Sequence, residues 1–427
     1  MSRSFPFSCF AMSPEHVLLS KDYQLKGAGS NECGQLGKGK EEDYSSTFLR
    51  VPFDGDPISH VFASEYISVL FTNKGDVLAC GYAGNNELGK DFGKNNETGE
   101  DSSPKIVYEP QQLNPKGTSI KAIAIGEGHT LFLSTKGDVY GSGSNKFFQL
   151  GFDKDNDPSV YTFEPLNLSS KVKQIAAANN NSFILTEEGV LLGCGRNFYG
   201  QLGLKHRNPV HQFTKIPSPD RKKIEKIVVS FGSSFLLTED GQVYGCGQSD
   251  AGELGVKTGT AQVPDFTRVR LPEGVKIKHL IAGNGFVLAL STENVVFGWG
   301  SGHSGVLGPE HVNKQNVVPQ PIQLGDSPII GMYSNNKNLA VFVNTKNEVI
   351  VLGRATQDLT ENIKKELSEF FASQFVSQEP GIKRSSKEKY ADIVFFSSQP
   401  TTSSDLVSSE HAEEPKEDEE ESKGLSQ

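Results

Sequence analysis

An all-β fold, a seven-bladed β-propeller of four-stranded repeats about 52 residues long, is what the sequence of this 427-residue chain predicts. Three observations carry that prediction. The second glycine of a small-residue turn recurs at Gly29, Gly81, Gly143, Gly195, Gly247, Gly300 and Gly353, at spacings of 52, 62, 52, 52, 53 and 53 residues. Around the first six the same phrase returns, most fully in Gly193-Cys194-Gly195-Arg196-Asn197-Phe198-Tyr199-Gly200-Gln201-Leu202-Gly203, and a Leu-Gly pair closes each at a constant distance. Short apolar runs separated by polar turns precede each phrase. Constant spacing within and between units marks a module that cannot bury its apolar face alone, so the fold is read from the period.

Within one module, Lys121 to Gly126, Thr130 to Ser134 and Gly137 to Gly141 are runs of four to six residues rich in Ile, Leu, Phe, Val and Tyr. They are too short for helices, which need roughly ten or more residues of 3.6 periodicity, and they read as strands. Lys136-Gly137-Asp138, Glu188-Gly189 and Asp240-Gly241 place glycine where a tight hairpin needs a positive φ. A fourth strand is expected after the Leu-Gly pair, in Phe213 to Pro217 and Thr267 to Pro272. The single long spacing is accounted for by a polar insertion, Lys94 to Ser103, read as a neutral surface loop.

Beyond the seventh glycine, Leu359, Ile363, Leu367, Phe370, Phe371 and Phe375 recur at steps of three and four, with Asp358 and Glu361 spaced as a capping box. This predicts one amphipathic helix packed on the propeller. Tyr390 to Phe396 has strand character and is expected either to complete blade one, for which the N-terminal segment supplies about three strands before its Gly phrase, or to be a remnant of another domain. Residues 398–427 hold nine carboxylates against Lys416 and Lys423, most of the net charge of −10, and have almost nothing to bury. They are expected to form a disordered, solubilising acidic tail. The organisation is thus a propeller over 1–353, a helix and closing strand over 354–397, and the tail over 398–427.

No apolar stretch approaches the roughly 20 residues of a membrane helix. The first ten residues lack the apolar core and cleavage site of a secretory signal, and an odd five cysteines suits a reducing compartment. A cytoplasmic or nuclear protein is expected. Cys80, Cys194 and Cys246 share one repeat position with Ser142 and Trp299, which makes them small buried residues of an inner strand and not a disulfide or metal set.

A glycine pair, an Asn and Gly-Gln-Leu-Gly, after a Gly-x-x-His turn and a Leu-x-Leu-Thr strand, resembles the repeat of the regulator of chromosome condensation family. The resemblance covers about residues 5 to 353 and is fullest in Gly126 to Ser134 with Gly141 to Asn145 and Gln149-Leu150-Gly151. It implies a seven-bladed propeller, in agreement with the count above. The family's founding member is a nuclear exchange factor for a Ran-type GTPase that also binds chromatin, and acidic and histidine side chains in the Gly-x-x-His turns form its exchange face. Glu127 and His129 match those positions in the third repeat, whereas the later turns read Asn179-Asn180-Asn181, Gly232-Ser233-Ser234 and Gly283-Asn284-Gly285-Phe286. Only Arg3 stands where a basic arm would be, which does not point to chromatin. A family branch that senses ultraviolet light uses clusters of tryptophan, and the single Trp299 excludes that mechanism.

The Gly-rich phrases do not lead into helices and no Gly-Lys-Ser/Thr follows them, so they are not phosphate cradles. The nine histidines are scattered, and no Ser, Cys or Asp stands in a nucleophile elbow. No catalytic residue, cofactor or metal is therefore expected. The expected function is a monomeric protein-interaction propeller that binds a protein partner, without nucleic acid or membrane, through the turns carrying Glu65, Glu127, His129, Asn180 and Asn284. The alternative is guanine nucleotide exchange on a small GTPase.

Overall fold

A computed structural model describes residues 10–376 apart from 22–23, 41–42, 54, 90–104, 114–117, 153–158, 257–259, 313, 336 and 355–356. Seven antiparallel sheets follow one another along the chain, six with four strands and the last with three among the described residues. Blade one runs Phe10–Met12, His16–Lys21, Gln24–Ser30 and Tyr44–Arg50; blade seven runs Ile329–Ser334, Leu339–Asn344 and Val349–Gly353. The second strand of blades two to seven is buried along its whole length, whereas fourth strands such as Val210–Ile216 are mostly exposed and form the rim. The fourth strands Val210–Ile216 and Gln262–Arg268 begin several residues before the apolar pieces the sequence offered. A rim strand buries few side chains, so it has no apolar run to announce it.

The repeating glycine solves one backbone problem in every blade. Gly29 has φ +106°, a Cβ on it would overlap the carbonyl oxygen of Glu15, and the ladder to the fourth strand shifts register there. This is a bulge, and Ser30 N donates to the same Glu15 oxygen at 2.7 Å. The first glycine of the pair makes room for a side chain. A Cβ on Gly27 would lie 2.9 Å from Leu36 Cδ2, the leucine of the Leu-Gly pair, which is buried.

In blades two to six the residue between the two glycines ties the blade to the one before it. Cys80 Sγ donates to the Gln35 carbonyl at 3.7 Å, Cys194 to Gln149 at 3.5 Å and Cys246 to Gln201 at 3.4 Å. Ser142 Oγ makes the same bond to Glu87 at 3.2 Å, and Trp299 Nε1 to Glu253 at 2.7 Å. The cysteines are free and buried, as their shared position predicts. Their interchange with Ser and Trp is explained by a demand for a donor as well as for burial.

The helix Gln357–Val376 closes the ring. Ile363, Leu367, Phe370 and Phe371 are buried in one core with Phe10, Met12, Val17 and Leu19 of blade one and Leu339, Val341 and Val343 of blade seven. Each such side chain contributes about 1.5–3 kcal/mol on burial. Glu366 meets Lys26 Nζ at 3.0 Å, and Asn362 Nδ2 donates to the Ser46 carbonyl at 2.9 Å. Two expectations are corrected here. Asp358 lies inside the first turn, so it cannot be an N-cap and the capping box does not form. Blade one draws all four strands from residues 10–50, so no later segment is needed to complete it. Residues 390–396, the tail and the 94–103 insertion lie outside the described residues, as does the side chain of Phe375.

Candidate functional site: the loop face of the ring

In each blade the turn between the first two strands and the loop between the last two emerge on one face. They are joined there: Ser30 N donates to Glu15 O, Ser144 N to Gly128 O and Arg196 N to Asn180 O, at 2.7, 2.7 and 2.8 Å. The loops are stiff because the phrase staples itself. In blade four Asn197 Oδ1 accepts from Leu202 N at 2.9 Å and Gln201 Oε1 from Tyr199 N at 3.1 Å. Asn145 and Gln149 make the equivalent bonds in blade three, to Leu150 N at 3.0 Å and Phe147 N at 2.9 Å. The recurrent Asn and Gln are therefore consumed by the fold, and the slots that vary between them project outward.

The five residues singled out from the sequence fall into different settings. Glu127 is half-buried on the turn of blade three, where its Oε2 accepts from Asn180 Nδ2 of blade four at 3.1 Å. Asn180 is itself buried and its Oδ1 accepts from Gln149 Nε2 at 3.2 Å. Burial raises the Glu127 carboxyl above its ordinary range, while Arg196 and the Asn180 bond oppose the rise. Glu65 is buried on the turn of blade two, with Lys337 Nζ of blade seven 3.8 Å from its Oε1 and an equal 3.8 Å from Glu15 Oε1 of blade one. Lys337 thus spans the mouth across three blades. Burial pushes Glu65 up to about 7 even so, because one lysine at that distance, 41% exposed, does not replace the water lost. Asn284 is exposed on blade six and hydrogen-bonds to neither group.

His129 has a different place from the surface position expected of it. It is wholly buried, and Nε2 lies 2.9 Å from Ser182 Oγ of the next blade. His16 does the same in blade one, 2.6 Å from Ser68 Oγ of blade two. Burial lowers their pKa values to about 4 and about 3, so both rings are neutral struts between blades.

Sequence reasoning missed a second cluster beside Glu127. The Arg196 guanidinium carbon lies 4.9 Å from the Phe198 ring centroid and 5.7 Å from that of Phe147, one ring from each of blades four and three. Lys146 Nζ lies 5.9 Å over Phe147. Phe198 is 45% exposed, so its ring is open to contact beside the Arg196 guanidinium. The available signal was the contrast between constant and variable slots: Arg196, Phe198 and Phe147 occupy variable slots of an otherwise repeated phrase.

Among the described residues no three His, Cys, Asp or Glu side chains are placed to hold a metal ion, and no helix is long and apolar enough to cross a membrane.

The pattern that defines the RCC1-like domain matches residues 9–343. The chain is 27% identical over 284 residues to the ultraviolet-B receptor UVR8 of Arabidopsis thaliana, covering 66% of this chain and 61% of the receptor. It is 25% identical over 326 residues to the guanine nucleotide exchange factor SRM1 of Saccharomyces cerevisiae, covering 70% of this chain and 66% of that protein. In both cases it spans less than two thirds of the relative's length. The fold is also that of yeast RCC1 (Prp20) in its complex with Kap60, with a TM-score of 0.64 and 24% identity over 83% of this chain and 82% of that one.

Proposed function

Since the chain belongs to the RCC1-like domain family, we propose that it is a protein-interaction propeller that binds a protein partner through the face formed by its turns and loops. The observation that carries this reading is Arg196 set beside the rings of Phe147 and partly exposed Phe198, next to the Glu127–Asn180 pair. Arginine and aromatic side chains on a rigid support are the composition of binding hot spots. Glu127, Asn284 and Lys337 extend the contact around the mouth, with Asn180 holding Glu127 and Glu65 holding Lys337 from beneath. The test is affinity capture from the native cell extract with the full chain and with Phe198→Ala and Glu127→Ala variants of unchanged melting temperature. A partner retained equally by all three would overturn the assignment of this face, and a loss of about tenfold or more in affinity supports it.

The likeness to a relative named as a guanine nucleotide exchange factor favours a second reading, exchange on a Ran-type small GTPase. An exchange factor binds the nucleotide-free GTPase better than the loaded one, and only that difference accelerates release. Here Glu127 would meet basic residues of the vacated nucleotide site. Release of a fluorescent guanine nucleotide from a Ran-type GTPase, with and without the protein, tests it directly. Acceleration that vanishes in Glu127→Ala supports exchange; no acceleration leaves the scaffold reading for that GTPase.

A further inference from the structure

The patch around Arg196 has a definite chemistry. From residue 189 to 219 the chain carries Arg196, Lys205, Arg207 and Lys215 and not one carboxylate. Lys205 is drawn 3.5 Å from Asp265 in an exposed pair and Arg207 donates to Gln262 Oε1. Arg196 is held by rings instead: its Nε is buried without a hydrogen-bond partner, and Glu127, on the adjacent blade, is already bonded to Asn180. Lys146 is exposed beside it. Two cations and two phenylalanine faces on fixed loops suit a segment that offers carboxylates next to an aliphatic side chain, since the carboxylates meet the Arg196 guanidinium and the Lys146 ammonium and the aliphatic group covers Phe198.

Such a segment exists in this chain. Asp405-Leu406-Val407 and Glu410 lie within the stretch 398–427, where carboxylates outnumber lysines nine to two. We propose that the Arg196–Phe198 patch is a docking site for an acidic, apolar-bearing peptide, and that its occupant in the free protein is the 405–410 stretch of the same chain. Reach is sufficient. Asp405 lies 29 residues beyond Val376, the end of the helix. At up to about 3.3 Å per residue they can span about 95 Å, against a radius of gyration of about 20 Å for a domain of this size. Tethering gives the stretch an effective concentration in the millimolar range, so weak contacts suffice to hold it. A docked stretch covers part of the face assigned above to a partner, so tail and partner would compete. That consequence rests on the functional reading, whereas the docking does not.

The experiment uses the full chain with benzoylphenylalanine in place of Tyr199, an uncharged half-buried ring next to Phe198, irradiated without any partner, and maps the cross-linked peptides by mass spectrometry on a mixture of isotopically light and heavy protein. The expected result is a cross-link to residues 398–427 within one chain, reduced about fivefold by Arg196→Ala and by 0.5 M salt. Cross-links confined to the acidic stretch 153–158, cross-links between chains, no tail cross-link, or a tail cross-link indifferent to Arg196→Ala would each overturn it. Because no partner is present, a failed partner capture and a failed docking remain separate results.

Discussion

Glu253 holds in blade five the place that Gln201 holds in blade four: Glu253 Oε2 accepts from Ala251 N at 2.9 Å as Gln201 Oε1 accepts from Tyr199 N at 3.1 Å. Glu87 repeats the arrangement in blade two, accepting from Asn85 N at 2.7 Å. An uncharged amide is thus replaced twice by a buried carboxyl.

A pH dependence follows. Burial pushes Glu87 and Glu253 up to about 7 against the effect of their backbone hydrogen bonds, from the ordinary value of 4.5 that holds in the unfolded chain. At these two carboxyls the folded protein therefore keeps protons that the unfolded chain loses, and their own contribution to stability falls as pH rises from 4.5 to 7, then levels off. Glu87→Gln and Glu253→Gln keep the acceptor and remove the ionisation. Each is expected to stabilise by about 1–3 kcal/mol at pH 8 and by little at pH 4. Urea denaturation at the two pH values checks this, and equal effects at both would refute it.

Trp299→Phe removes the donor that satisfies the Glu253 carbonyl and leaves the ring volume largely filled. A buried acceptor without a partner costs about 1–3 kcal/mol. Cys246→Ser, which keeps a donor to the Gln201 carbonyl, is expected to cost less. Comparison of the two denaturation midpoints decides whether the position selects a donor or merely bulk.

The two kinds of positive-φ glycine separate cleanly by mutation. Gly81→Ala drives a Cβ into the Tyr66 carbonyl at φ +120°, whereas Gly75→Ala, at φ +89°, meets nothing within 4 Å. The second is expected to cost about 1 kcal/mol, for backbone strain alone. The first is expected to cost well over that or to prevent folding. Circular dichroism and soluble yield distinguish them.

Phe370→Ala empties a buried place in the core shared by the helix, blade one and blade seven. A loss of about 3–5 kcal/mol is expected. Amide exchange should rise first in Phe10–Met12 and Leu339–Asn344, the strands on either side of the seam. Faster exchange spread evenly over all blades would mean that the seam is not where the helix acts.

The blade count and the strand order were legible because one steric demand, a positive-φ glycine under a neighbouring carbonyl, is imposed seven times and cannot be met by another residue. Rim strands were legible only roughly, since solvent on one side erases the apolar pattern. The helix was found from its spacing, but its role in joining blade seven to blade one was not, because Phe370 and Phe10 are far apart in sequence. At the loop face the residues that fit the family's repeat drew attention, and His129 proved to be a strut between blades. Arg196 was passed over because pairing across blades three and four depends on the ring, not on local sequence.

The chain of donors that binds each blade to its predecessor has a gap. At the place filled elsewhere by Cys, Ser or Trp, blade one has Ala28 and blade seven has Leu352, neither of which can donate. Blade seven accordingly meets blade six through apolar packing of the two sheets alone, and meets blade one through a core to which the helix adds Ile363, Leu367, Phe370 and Phe371. Pulling from the C-terminal end, as an unfolding motor does, would strip that helix first and leave a severed necklace whose other six beads are still clasped to one another. Extraction of the chain would then proceed bead by bead from blade seven backward, and a force trace should show a helix-sized step before the first blade-sized one.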